Sequence, residues 1–194
     1  ITHPTTSPTW RKSGLKPEEL ELREYGFLRP TRDNFEAWEL TRAVCEAAGV
    51  RVCVIQSPAS FRATDENARN MQAFLSKIKR GKLILAWEPR GDWFQNPELV
   101  EKLCRKLDLV HAVDPLRNEP RYLGKRKIAY FRLHGFGKPS MYNYKYSDDE
   151  LKRLARIVSE IGARQTFCMF NNVHMWEDAR RFKRILARST GGSP

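Results

Sequence analysis

An α/β fold with parallel strands and crossover helices is predicted from three features of the sequence. Five short apolar, β-branched runs alternate with five longer stretches of helical periodicity. Capping residues and glycines stand where such elements should begin and end. Each apolar run also closes on a polar residue at its C-terminal end, the edge at which parallel α/β folds gather their binding groups.

The apolar runs are RVCVIQ (51–56), KLILAWE (82–88), DLVHAVD (108–114), KIAYFRLH (127–134) and QTFCMFNN (165–172). Helices are expected over about 34–48, 64–80, 95–106, 147–162 and 175–189. Their starts are expected at Asp33 or Asn34, at Thr64 or Asp65, at Asn96 followed by Pro97, and at Ser147 ahead of Asp148, Asp149 and Glu150. Gly49 and Gly162 suit helix C-termini, since glycine adopts the left-handed conformation without steric cost. Residues 1–33 read as an extended loop region with a short helix around Pro17 to Glu24, and 34–190 as the strand-helix domain. Residues 191–194 read as a flexible tail. A long loop at the start of a compact domain is unusual and the chain does not begin with Met, so strands preceding this sequence are expected.

At 194 residues and 41% hydrophobic content the chain can bury a sizeable core, and one domain is expected. No apolar run approaches the roughly 20 residues needed to span a bilayer, and ITHPTTSPTWRKSG lacks a signal-peptide core. A soluble cytoplasmic protein without a membrane partner is the expectation. Cys45, Cys53, Cys104 and Cys168 lack the paired spacing of a zinc ribbon or redox dithiol and read as small buried hydrophobes. The net charge of +12 and a pI near 9.8 favour nucleic acid or another polyanion as partner. Basic residues gather in Lys77 to Lys82, in Arg117 to Lys127 and at Arg180, Arg181, Lys183, Arg184 and Arg188. A solvated face of a highly charged protein explains them equally well.

The polar strand ends are Gln56, Glu88, Asp114, Arg132 with His134, and Asn171 with Asn172. Period-two alternation puts Ile84, Ala86 and Glu88 on one side of their strand, Val110, Ala112 and Asp114 on one side of theirs, and Tyr130, Arg132 and His134 likewise. If those sides face one interior, two carboxylates, an imidazole and a guanidinium converge. That set suits general acid–base chemistry on a substrate whose anionic group is held by Arg132. Oxygen and nitrogen ligands from different strands also suit a divalent metal, although no compact motif such as HExxH is present. The competing structural explanation is ion pairing, of Glu88 with Arg132 or Arg90 and of Asp114 with Arg117. Aromatic residues in WEPRGDW (87–93) and MYNYKY (141–146) serve either loop packing or stacking on bases and sugars. His111, on the opposite side of its strand from Asp114, reads as a packed surface or helix-facing histidine, and His174, after the asparagine pair, as a capping or packing residue, with lining the mouth of the pocket as the alternative.

The segments QSPASF, AWEPRGDW, VDP, YFRLHG, YSDDEL and FNN, in this order over residues 53–190, resemble the YecE-like family, also called domain of unknown function 72. The resemblance implies a TIM-type (β/α) barrel. It also implies that Thr2, His3, Gln56, Glu88, Asp114, Arg132, His134, Tyr142, Asn171 and Asn172 are the family's recurrent polar positions. The family's first strand, with its glycine-rich turn, and its second are absent here. The resemblance therefore implies an incomplete barrel of about five parallel strands, completed by a missing segment or a second chain.

Two functions compete. One is a hydrolase-type enzyme acting on a phosphate-bearing or nucleic-acid substrate. In it Glu88, Asp114 and His134 are catalytic, while His3, Gln56, Arg132, Tyr142, Asn171 and Asn172 bind substrate. The other is a non-catalytic nucleic-acid-binding or assembly protein that works through its basic faces.

Overall fold

The computed structural model of the protein describes residues 1–4, 14, 16, 18, 19 and 24–189. Most of the helix expected around Pro17 to Glu24, and the 191–194 tail, lie outside the described residues. Two compact units divide the chain, Ile1–Val110 and His111–Pro194. Strands follow one another in the order β1-β2-β3-β4-β5, and those whose register is defined pair in parallel. Sequential parallel strands with intervening helices make this an α/β fold, an incomplete TIM-type barrel.

The first unit contains α1 (Arg32–Ala47), β1 (Val52–Gln56), α2 (Asp65–Leu75), β2 (Ile84–Glu88), a short 3-10 helix (Gly91–Gln95) and α3 (Pro97–Leu107). β1 and β2 pair from Val52 opposite Ile84 to Gln56 opposite Glu88. Every residue of β2 is buried, as expected of a strand covered on both faces. The N-cap of α1 is Thr31, whose hydroxyl accepts from Asn34 N, rather than Asp33 or Asn34. Asn34 is unavailable for capping because it is buried in a different task. Its Oδ1 accepts from Gly26 N at 2.9 Å, and its Nδ2 donates to the carbonyls of Gly26 and Arg29. Thr64 caps α2, and Pro97 occupies the first turn of α3. Asn96 makes no side-chain cap bond there, since its Nδ2 donates to Asp92 O instead.

The second unit holds nearly all of β3 (Val110–Val113), then β4 (Ile128–Leu133), α4 (Asp148–Glu160), β5 (Gln165–Phe170) and α5 (Met175–Ser189). Six register pairs, from Ile128 opposite Gln165 to Leu133 opposite Phe170, join β4 to β5. Ser147 caps α4 through a reciprocal box with Glu150, as the sequence predicts. Leu151, Leu154 and Ala155 then recur at helical spacing and pack with Phe131, Leu133, Tyr146 and Phe182. Each fully buried leucine contributes roughly 1.5–3 kcal/mol relative to an exposed one, so this cluster carries much of the unit's stability.

No helix among the described residues is long and apolar enough to cross a membrane.

Candidate functional site

Within the first unit, the paired strand ends bring Gln56 opposite Glu88. Gln56 is exposed, whereas Glu88 is only 4% exposed and its Oε1 lies 2.6 Å from Arg90 Nη2. The carboxylate is thus charge-compensated by the turn that follows its own strand. Ser57 N donates to Glu88 O at 3.0 Å, and Ser57 Oγ accepts from Trp87 Nε1 at 2.8 Å, which fixes the two tips together. In WEPRGDW both tryptophans pack. Trp93 stacks on Phe61 at 5.6 Å and meets Trp87 edge-on at 5.0 Å, and its Nε1 donates to Phe61 O. His3 is half-buried on the N-terminal segment, which Phe27 N and Leu28 N hold through the carbonyls of Thr2 and Ile1.

In the second unit, three strand ends present Asp114 after β3, His134 after β4 and Asn171 after β5. Asp114 is buried. Its Oδ1 accepts from Leu116 N at 3.0 Å, and Oδ2 lies 3.6 Å from Arg117 Nε without hydrogen-bond geometry. Burial raises the Asp114 carboxyl above the usual aspartate range, and a further upward push comes from Glu150. The Leu116 amide, the Arg117 guanidinium and His134 oppose that rise. A carboxyl whose ionised form is disfavoured holds its proton to higher pH, which suits proton transfer better than an ordinary surface aspartate.

Arg117 reaches from the β3 end to the β4 end. Its Nη2 donates to Gly135 O at 2.5 Å, and its guanidinium sits 4.3 Å above the Phe136 ring. Gly135 N in turn donates to Tyr146 Oη at 2.8 Å. Gly135 adopts φ +92, and a Cβ there would stand 2.5 Å from that of Tyr144, so only glycine fits between β4 and the tyrosine loop. Burial, with the Asp114 charge second, pushes the Tyr146 phenol well above its ordinary range. His134 is buried, its Nδ1 lies 3.1 Å from Asn171 Nδ2, and its ring meets Tyr142 edge-on at 5.6 Å. Arg132, half-buried, precedes His134 by two residues on β4.

The two asparagines divide in role. Asn171 is exposed and orients His134. Asn172 is buried, and its Nδ2 donates to Tyr144 O and to Asp178 Oδ2, both at 2.7 Å. Asp178 is fully buried and also accepts from Tyr146 N and Arg181 Nη1. Asn172 therefore helps anchor the tyrosine loop to α5. Of the three loop tyrosines only Tyr142 is exposed. Tyr146 is buried, and Tyr144 packs on Phe136 while donating to Glu150. His174 is exposed, and its carbonyl accepts from Asp178 N in the first turn of α5.

Both ion pairs of the structural explanation are present, Glu88 with Arg90 and Asp114 with Arg117. Sequence reasoning missed the reach of Arg117 to Gly135 and the Tyr146 bond to Gly135. The only signal was the family-like run YFRLHG followed by a tyrosine-rich loop. Among the described residues, no group of three or more His, Cys, Asp or Glu is placed to hold a metal ion.

The family described as "Protein of unknown function DUF72" matches residues 12–193. A solved DUF72 protein of Thermotoga maritima is similar at 22% identity and TM-score 0.61, over 81% of this chain and 66% of that one. Another, from Enterococcus faecalis, is similar at 18% identity and TM-score 0.62, over 98% of this chain and 72% of that one. The chain thus spans about two thirds of the length of these solved proteins, and at such identities the likeness is one of fold. No curated protein matches.

Proposed function

The chain belongs to the DUF72 family, and we propose that the strand ends of its second unit form an acid–base site for a phosphate-bearing substrate, nucleic acid included, on which it acts as a hydrolase. Asp114 and His134 are the proton-handling groups, Arg132 and Arg117 bind the anionic group, and Asn171 and Tyr142 orient His134. The observation that carries this reading is the buried Asp114 carboxyl, pushed upward by burial, with the Arg117 guanidinium and the His134 ring as its neighbours. Positioned general acids and bases contribute about 10²–10⁴-fold to a rate. In a screen of phosphate monoesters, diesters and oligonucleotides, Asp114→Asn is therefore expected to lower kcat/KM by about 100-fold or more. The acid limb of the wild-type profile should lie above the ordinary aspartate range. Full activity in Asp114→Asn and His134→Gln would remove the reading.

Glu88 enters as the candidate base of the first unit, with Gln56 and His3 as its substrate-binding companions. Its short ion pair to Arg90 supports a compensated carboxylate there, and Glu88→Gln tests it separately. A second reading, nucleic-acid binding without turnover, draws on the net charge of +12.

A further inference from the structure

The start of α5 leaves apolar side chains in solvent. Val173, Met175 and Trp176 are all exposed just past the C-terminal end of β5, Trp176 most of all at 76%. Single exposed apolar residues are ordinary, but a run of them marks a contact surface. The run continues onto the tyrosine loop, because Val173 N donates to Tyr142 O at 2.7 Å and Tyr142 is itself exposed. Tyr142 meets the His134 ring edge-on, so this surface begins at the strand-end site.

From Trp176 a row of cations runs down the same helix. Arg180, Arg184 and Arg188 follow it in steps of four residues, which makes them neighbours roughly 6 Å apart along the helix axis. All three are exposed, and Lys183 is exposed beside them. Like charges at that spacing repel and weaken the helix that carries them. A polyanion laid along the row turns that repulsion into attraction. Of the acidic residues in the first turn, Glu177 is ion-paired with Lys145 at 2.6 Å and Asp178 is buried against Arg181, so each has a cation of its own.

An exposed indole at the head of spaced guanidinium groups selects among polyanions. In a duplex the bases face inward and offer the indole nothing to stack on unless one is flipped out. A single strand offers a free base to Trp176 and consecutive phosphates to the row. An anionic membrane fits less well, because the apolar face of α5 is turned to the core, where Phe182, Ile185 and Leu186 pack. We propose that α5 binds single-stranded nucleic acid, with a base stacked on Trp176 and the phosphates of that strand on Arg180, Arg184 and Arg188, so that the strand leads to Tyr142 and His134. In naming the substrate class it rests on the acid–base reading of the strand ends, whereas the binding surface itself needs only α5.

The test is fluorescence anisotropy of the full chain with a labelled oligothymidylate of about 12 nucleotides, beside a duplex of the same length, over a range of salt. The single strand is expected to bind more tightly than the duplex. Trp176→Ala should weaken that binding by about 5- to 100-fold, the worth of one stacked base, with the salt slope unchanged and most of the loss restored in Trp176→Phe. Arg180→Ala with Arg184→Ala should instead lower the slope by about 1.4, at about 0.7 per contact on a single strand. The comparison of strand with duplex needs no substitution, so a variant that folds poorly does not blur the outcome. Equal or tighter binding of the duplex, unchanged affinity in Trp176→Ala, or Trp176-dependent binding to vesicles of anionic phospholipid in place of the oligonucleotide would each overturn the proposal. Oligonucleotide binding without turnover, in the wild type and in Asp114→Asn alike, would sink the hydrolase reading and leave the α5 surface standing. Turnover of small phosphate esters by a chain that fails the oligonucleotide test would do the reverse.

Discussion

Among single residues, His111 makes a consequence of burial directly measurable. Its Nδ1 accepts from Arg121 N at 3.1 Å, so the ring proton sits on Nε2, buried with no hydrogen-bond partner among the described residues. A second proton would place a charge in that setting. Burial first, and the Arg121 charge second, depress the His111 pKa from an ordinary 6.5 to about 4. Between those values the unfolded chain binds a proton that the folded chain refuses. Stability is therefore complete above pH 6.5 and is lost as pH falls towards 4, by about 3 kcal/mol in all. Urea unfolding at pH 7.5 and 4.5 should show most of that loss in the wild type, and markedly less in His111→Gln, whose amide oxygen preserves an acceptor for Arg121 N. Equal losses in both proteins would refute this account. The sequence placed His111 correctly as a packed histidine by alternation alone. It gave no sign of the Arg121 bond, because a side chain that ties down a loop ten residues away leaves no periodic trace.

At the level of elements, the sequence was read most successfully where local chemistry decides the outcome. All five strands and five helices are found near the segments that periodicity picks out, though α2 stops at Leu75 rather than near 80, and Ser147, Thr64 and Gly162 act as their residue types predict. The α1 cap was misplaced because Asn34 serves a contact with Gly26 that lies outside the helix. Likewise the polar strand ends were legible, but their partners were not, since Arg117 to Gly135 and Asn172 to Asp178 are set by tertiary packing. The capping box of α4 offers a clean test at this scale. Ser147 Oγ accepts from Glu150 N, and the Glu150 carboxylate accepts from Ser147 N. Glu150 also accepts from Tyr144 Oη, which couples the helix start to the tyrosine loop. Ser147→Ala should cost about 1 kcal/mol. In Glu150→Gln the one amide oxygen can keep the bond from Ser147 N while Nε2 faces Tyr144 Oη, whose hydroxyl can turn to accept, so this change should cost less, as read from the midpoints of urea unfolding curves. A larger loss in Glu150→Gln than in Ser147→Ala would show that the loop, not the cap, governs this end of the helix.

For the molecule as a whole, the governing quantity is charge. Of the basic residues on α5, Arg181 is committed to Asp178 and Asp148, whereas Arg180, Lys183, Arg184 and Arg188 are exposed. Lys77, Lys79 and Lys82 are exposed in the first unit, and Lys125, Arg126 and Lys127 in the second. Arg80, by contrast, turns inward to the carbonyls of Leu75, Leu107 and Asp108, so its run in the sequence overstates the charge available to a partner. Surface cations that neutralise phosphates release counterions, and the logarithm of affinity then falls with the logarithm of salt at about 0.9 per contact on duplex DNA. If the chain binds nucleic acid as in the second reading, the four exposed cations of α5 are expected to engage about four phosphates. Raising salt from about 50 to about 200 mM should then weaken duplex binding by roughly 100-fold, whatever the base sequence. Lys183→Ala with Arg184→Ala should lower the slope by close to two contacts. Arg132→Ala, at a strand end, should change turnover while altering that slope by no more than one. Salt-independent binding, or a slope that follows Arg132 rather than the exposed pair, would assign recognition to the strand ends and leave the surface charge as solvation alone.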